Sequence, residues 1–499
     1  MEYLLQGFVN VFAPEVILLV IAGVIVGIII GALPGLTATM GVALFLPVTF
    51  GMDAVAGILL LIGVYFGSIY GGSISAILLN TPGTPASAAT ALDGHVLTKQ
   101  GKAGKALGIA AIASAVGGLL SAILLIFISP QLAEIALNFS APEMFGLALF
   151  GLSIISSISG GSILKGLIAG MVGLVISTIG MDPMTSYPRF TFDQLSLLNG
   201  LNFIPVMIGL FAVSEALVTM EEELHGKGTL KKIVASYILP KWHELKHLWV
   251  TMIRSGFIGS FIGIIPGAGA DIAAFVSYNE AKRFAKKEEK DSFGKGNPKG
   301  VAAAEAANNG VTGGAMVPLL TLGIPGDAVA AVLLGALVVQ GIQPGPQLFT
   351  TSADLVYTLF AGMLVANILM LIFGISGIRL FTKILKVPKN ILAAVIVVLS
   401  VVGSYAISNN FFDVYTMLGA GIIGYFMKKF GFPASPIVLA LILGPMAESE
   451  LRRALVMSEG SYGIFFNSPI SLLFIILAIL SLVLPIILEF WKKKKAIAK

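Results

Sequence analysis

Apolar residues run along this chain in long unbroken stretches, not in the short alternations of a half-buried sheet. Val16 to Leu33, Val55 to Leu79, Ala106 to Ile128, Leu355 to Gly374 and Leu472 to Trp491 are each long enough for a spanning helix. Crossing hydrocarbon takes about 20 residues at ~1.5 Å rise. The pattern predicts an all-α integral membrane protein with about 10–12 transmembrane helices. Leu248 to Glu280 departs from it: the stretch is broken at Pro266-Gly267 and leads into a basic loop. It is too short for two crossings, so a re-entrant hairpin or a pair of half-helices fits better. The tip falls at Pro266 to Asp271, because proline removes a donor and glycine permits unusual backbone angles.

The same signals occur twice. Gly31-Ala-Leu-Pro34-Gly35-Leu-Thr37-Ala-Thr39 returns 232 positions later as Gly263-Ile-Ile-Pro266-Gly267-Ala-Gly269-Ala-Asp271. Gly71-Gly72 aligns with Gly313-Gly314, and Asn80-Thr81-Pro82-Gly83-Thr84 with Gly323-Ile-Pro325-Gly326-Asp327. Ile208 to Glu215 aligns with Leu443 to Glu450. Such self-similarity marks a duplicated architecture. The expected organisation is a first repeat over 1–220, a basic cytoplasmic linker over 221–247 and a second repeat over 248–455. A final transmembrane helix and basic tail occupy 456–499.

Charge then orients the halves. In the first half the loop 47–54 between the breaks has no Lys or Arg, while Lys99, Lys102 and Lys105 follow the second break. In the second half the order reverses: Lys282, Arg283, Lys286, Lys287, Lys290, Lys295 and Lys299 lie between the breaks, and 340–347 has none. Basic loops stay cytoplasmic, so equivalent loops face opposite sides and the repeats are inverted. The tail at Lys492 to Lys495 places the C-terminus in the cytoplasm. Arg452 and Arg453 resist this scheme, landing on the outer side.

Composition agrees with a membrane protein and narrows the chemistry. Apolar residues make up 57% and charged residues 11% of 499, with a mean hydropathy of +0.95. That is too few charges to cover a water-soluble surface. The absence of cysteine removes disulfides, thiol catalysis and thiolate metal sites. The net charge of +5 sits in loops and tail, which marks topology and not nucleic-acid binding. No basic n-region precedes the first apolar stretch, so it reads as a retained helix. Neither a Gly-x-Gly-Asp protease signature nor a phosphate-binding Gly-x-x-x-x-Gly-Lys-Ser/Thr occurs, and no enzyme is expected.

Broken backbone at membrane depth is tolerated only inside protein or along a wet cavity. Half-helix N-termini suit carboxylates, unwound carbonyls suit a cation, and paired breaks in two repeats point to a transporter's site. The candidate substrate residues are Pro34, Gly35, Thr37, Thr39, Asn80, Thr81, Gly83, Thr84, Gly267, Gly269 and Gly326, with Asn308, Asn309 and Thr312 beside the glycine pair. The alternative role for the last three is gluing helices together. Ser68, Tyr70 and Ser73 are their weaker counterparts. Asp271 and Asp327 are candidates for cation coupling, since a bare carboxylate would repel an anion. Helix N-capping explains them equally well. No resident cofactor is expected, only a coupling ion, Na⁺ or H⁺. Asp93 and His95 are expected in solvent, and Glu215 and Glu450 at the interface.

The stretches GALPGLTATMGVALFLP, GGSISAILLNTPGTPASAATALDGH, GIIPGAGADIAAF and GIPGDAVAAVLLGAL resemble the large membrane subunit of the tripartite tricarboxylate transporter (TctA) family. The resemblance covers almost the whole chain. It implies a secondary carrier for citrate-like di- or tricarboxylates in a bacterial inner membrane, driven by an ion gradient. It also implies two partners, a small four-helix membrane subunit and a periplasmic substrate-binding protein. A stand-alone carboxylate carrier or channel without a binding protein is the alternative.

Overall fold

The computed structural model describes residues 2–33, 36–153, 163–182, 184–224, 239–267, 269–378, 380 and 389–497. They are helical almost throughout. Among them the only ladder pairs two-residue strands, β1 (Gly180–Met181) with β2 (Pro188–Arg189). Helices Pro14–Ala32, Ala54–Leu79, Ala103–Ala136, Phe203–Glu221 and Ala353–Ser376 are long and apolar enough to cross a membrane. Shorter apolar helices, among them Trp249–Ile264 and Ala328–Val339, accompany them. The chain is an all-α, multi-pass membrane protein. The helix at 203–221, not among the long apolar stretches named from the sequence, contains Pro205 and a π-helical turn at Gly209–Val213.

Two compact units emerge. One joins Met1–Ala133 to Glu215–Ala406, the other Glu134–Ser214 to Ile407–Lys499. Each unit therefore draws a segment from both halves of the chain.

In the first unit the helices that build the site are numbered along the chain. The first half supplies α1 (Pro14–Ala32), α2 (Ala38–Phe45), α3 (Ala54–Leu79), α4 (Ala88–Lys99) and α5 (Ala103–Ala136). The second half supplies α6 (Trp249–Ile264), α7 (Gly269–Phe284), α8 (Pro298–Leu322), α9 (Ala328–Val339) and α10 (Ala353–Ser376). Helices α6 and α7 are 16 residues each, about 24 Å at the usual rise. The stretch is thus two short helices that pack on each other, as either a re-entrant hairpin or a pair of half-helices requires.

The caps explain why the helices stop where they do. Asp53 starts α3 by accepting from Ala56 N at 3.2 Å, and Asn297 starts α8 by accepting from Lys299 N at 2.8 Å. Asn80 ends α3 and Gly323 ends α8 in the left-handed region, at φ 58° and 69°. These two are residues that tolerate it. Leu33 and Ile265 close α1 and α6 in the same extended geometry, at φ −81°, ψ 116° and φ −79°, ψ 110°.

Both halves repeat the same close packing. A Cβ on Gly31 of α1 would lie 2.9 Å from Gly72 N of α3. One on Gly263 of α6 would lie 3.0 Å from Ala315 N of α8. Gly67 faces Ile28 N at 2.8 Å, and Gly310 faces Ser260 N at 3.2 Å. Every contact on the α1/α6 side is shifted by 232 and every one on the α3/α8 side by 243. Helix backbones approach this closely only over glycine, a common device where lipid offers no hydrophobic driving force. Residues on α3 and α8 are buried over almost their whole length.

The second unit holds an ion cluster beside its strands. Asp182 bonds Arg452 at 2.8 Å and Arg189 at 3.3 Å, and Glu448 bonds both arginines at 2.7 Å. The backbone N–H of Thr185, helped by Met184 N–H and the Arg452 charge, pushes the Asp182 carboxyl down to about 2. Arg452 and Arg453, which resisted the charge scheme, are thus neutralised locally, Arg453 by Glu450 at 2.8 Å.

Candidate functional site

The site lies in the first unit, where the described helix breaks gather around α3 and α8. In the second half the two breaks touch directly. Gly267 N donates to Gly326 O at 2.7 Å, with Gly267 and Gly269 at φ 82° and 69°. A Cβ on Gly326 would stand 2.6 Å from both Ala315 Cα and Gly263 O. In the first half Gly83 N donates to Gly72 O at 3.3 Å, and a Cβ on Gly83 would collide with Gly31 O. Pro34 and Gly35, the expected first tip, lie outside the described residues.

The two halves interlock at these breaks. Helix α2 of the first half packs on α9 of the second, while the turn Pro85–Ser87 and α4 pack on α7. Tyr65 on α3 donates from its hydroxyl to Asp327 Oδ2 at 2.8 Å. Asn308 on α8, 243 positions after Tyr65, donates to Ala86 O at 3.3 Å. Each core helix thus ties down the second break of the opposite half, from the same position.

Individual residues then divide by role. Thr37 caps α2, its hydroxyl accepting from Met40 N at 3.3 Å, and Thr39 is buried in the first turn. Asp327 caps α9, accepting from Ala330 N at 2.7 Å through Oδ1 while Oδ2 holds Tyr65. Asp271 sits exposed in the first turn of α7. By the repeat register Thr39 corresponds to Asp271 and Thr84 to Asp327. The first-half breaks therefore carry neutral hydroxyls where the second-half breaks carry carboxylates. Asn80 and Thr81 are exposed, whereas Gly83 and Thr84 are buried. The hydroxyls of Thr84 and Ser68 are buried without a hydrogen-bond partner, a costly condition that a bound polar group would relieve. Asn308, Asn309 and Thr312 are fully buried. Asn309 donates to Asn308 Oδ1 at 2.7 Å and Thr312 to Asn309 O at 2.7 Å, so these two are engaged within α8.

Two features went unread in the sequence and a third was misread. Glu305 is fully buried in α8, bonded by Thr90, Ser114 and Asn308. Its signal was visible, a lone carboxylate in an apolar run. Tyr65 gave no signal, because its partner is 262 positions away. Asp93, expected in solvent, is buried and accepts from Gly294, Gly296 and Asn297 N–H at 2.8–2.9 Å and from Tyr278 Oη at 2.8 Å. It clasps the basic loop to α4. Burial is tolerated because four donors replace the lost water.

A cavity of about 710 Å³ lies elsewhere, along α6. Val250, Ile253, Phe257 and Phe261 line it, and Arg254, its basic residue, is paired with Glu280 at 2.8 Å. An apolar groove with a neutralised cation does not suit a carboxylate.

The long apolar helices define a multi-pass membrane protein. The profile described as "Tripartite tricarboxylate transporter TctA family" matches residues 17–439. The chain belongs to that family. It is 37% identical over 465 residues to the "Uncharacterized 52.8 kDa protein in TAR-I ttuC' 3'region" of Agrobacterium vitis, covering 93% of this chain and 92% of that one. It is 39% identical over 213 residues to the "Uncharacterized protein in TAR-II ttuC' 3'region" of the same organism, covering 43% of this chain and 87% of that one.

Proposed function

We propose that the chain is the large permease subunit of a binding-protein-dependent carrier that takes up di- or tricarboxylates by cation-coupled alternating access. The observation that carries this reading is the split in charge across equivalent breaks. Thr37, Thr39, Thr81 and Thr84, with the N–H groups beside Gly83, offer a carboxylate donors and no negative charge. Asp271 and Asp327, with the bent backbone at Gly267, Gly269 and Gly326, offer a Na⁺ ion or a proton a negative site. Anion and cation would then bind at equivalent breaks of the two halves. No stand-alone substrate-capturing domain is evident among the described residues, which favours a periplasmic binding protein and a small membrane subunit as partners in a bacterial inner membrane. Vesicles reconstituted with all three proteins should accumulate citrate-like substrates. Accumulation at the full rate with this chain alone would favour the stand-alone carrier instead.

Alternating access follows if the halves are inverted, since exchanging their conformations turns an outward-open state inward. The native chain has no thiol, so single cysteines report sidedness cleanly. Cysteines in 48–54 should react with a membrane-impermeant maleimide only from the periplasmic side, and those in 284–298 only from the cytoplasmic side. Reaction of both loops from one side would sink the inverted arrangement.

A further inference from the structure

We infer that Glu305 is a proton-binding site that couples transport to a pH gradient, separate from Asp271 and Asp327. This rests on the transport reading above and adds a residue to it. Glu305 sits in the first third of α8, fully buried. Ser114 of α5 donates to its Oε2 at 2.9 Å, Asn308 to its Oε1 at 3.3 Å, and the Thr90 hydroxyl of α4 also donates to Oε1. Thr90 and Ser114 are fully buried as well. Among the described residues no Lys, Arg or His pairs with this carboxylate. An ionised carboxylate buried without a counter-ion is costly, and proteins relieve such a charge with a proton or a cation. Both oxygens here are in direct contact with hydroxyl and amide donors, so a proton fits where a metal ion would have to push the donors apart.

Among the described residues none of the charged or titratable groups on the packed elements is bonded to Glu305. On α3, Tyr70 donates to Gly374 O at 3.1 Å. On α4, Asp93 holds Tyr278 and the 294–297 loop, and His95 Nδ1 lies 3.1 Å from Ile77 O. Lys105 of α5 pairs with Glu244. Arg254 of α6 pairs with Glu280 of α7, whose last turn carries Lys282 and Arg283. Lys299 of α8 pairs with Glu289 at 2.6 Å. Helix α9 and the short helix Leu348–Thr351 carry none.

The position of Glu305 makes its charge consequential. Asn308 Nδ2 is shared between Glu305 Oε1 and Ala86 O, the carbonyl two residues beyond the unpaired Thr84 hydroxyl. Helix α4, which supplies Thr90, begins where that break ends. When the proton leaves, the carboxylate draws Asn308 and Thr90 toward itself and loosens the hold on the break. When it returns, from the outer side, the hold is restored. One proton from outside binds a Glu305 oxygen, and the same proton leaves to the inside.

The test compares two modes of transport in vesicles carrying the complete system, with citrate, malate and succinate as probes and the membrane potential clamped. With one coupled proton, an inward gradient of about one pH unit supports about tenfold accumulation. Glu305→Gln, a permanent mimic of the protonated form, should lose that accumulation and keep counterflow exchange, which needs no net proton movement. Wild-type accumulation by Glu305→Gln overturns the inference. Ser114→Ala removes one donor yet leaves the carboxylate, and covers the case in which Glu305→Gln fails to fold. It should move the pH profile of uptake upward, since a donor that favours the ionised form is gone. An unmoved profile overturns the inference as well. A wild-type system that shows no counterflow with any probe would instead remove the transport reading itself.

Discussion

Gly326→Ala should cost the protein its transport and much of its stability, although it adds one methyl group. The methyl would stand 2.6 Å from Ala315 Cα and Gly263 O, backbone atoms of α8 and α6 that no rotamer change can move aside. Overpacking of this kind typically costs about 1–3 kcal/mol. The strain falls on the segment that receives the Gly267 N–H bond. Gly83→Ala should behave alike, because its methyl would strike Gly31 O and stand 2.7 Å from Ser75 Oγ. Gly419→Ala is the control: its position has nothing within 4 Å, and alanine in a helix gains up to about 1 kcal/mol over glycine. Thermal melting in detergent and substrate uptake by vesicles would read both effects. A Gly326→Ala protein that melts with Gly419→Ala and transports normally would show that the breaks do not pack this tightly.

These glycines were also what made the architecture legible. Proline and glycine at a break, and glycine where two backbones touch, are local signals whose spacing survives duplication. The offset of 232 between the first breaks reappears unchanged in the Gly31 and Gly263 contacts. One detail shifts: the sequence pairs Gly71-Gly72 with Gly313-Gly314, whereas the contacts pair Gly71 with Gly314 and Gly72 with Ala315. A Cβ at Gly72 would strike the Thr84 hydroxyl. In the second half the residue equivalent to Thr84 is Asp327, whose carboxylate is turned to Tyr65, leaving room for the Ala315 methyl. Polar partnerships were the hidden part. Asp93 with its loop and Glu305 with Thr90 join residues some 200 positions apart, and no periodicity announces such a pair. Glu305 could have been flagged by its apolar surroundings, but its partners could not.

Asp327 separates a structural role from a coupling role, because the two make opposite demands on asparagine. Asp327 caps α9 through Oδ1 and accepts from Tyr65 through Oδ2; asparagine keeps the cap with its one oxygen and turns an amide N–H toward Tyr65 Oη, so that contact survives with its direction reversed. Asparagine caps helices as well as aspartate does, whereas alanine at a cap costs roughly 0.5–2 kcal/mol. Alanine would also strand the buried Tyr65 hydroxyl, at about 1–3 kcal/mol. Asp327→Asn should therefore melt close to wild type, and Asp327→Ala well below it. Coupling, in contrast, needs the negative charge, which Asp327→Asn removes as completely as alanine does. If Asp327 helps to hold the driving cation, the asparagine variant should fold normally, bind substrate, and lose most of its dependence on Na⁺ or pH. Uptake measured across a range of Na⁺ concentration and pH, beside melting of the same preparations, reads both demands at once. Wild-type ion dependence in a stable Asp327→Asn protein would leave Asp327 a helix cap and shift coupling to Asp271 or Glu305. An Asp327→Ala protein as stable as wild type would argue that the Tyr65 bond contributes little to joining the halves.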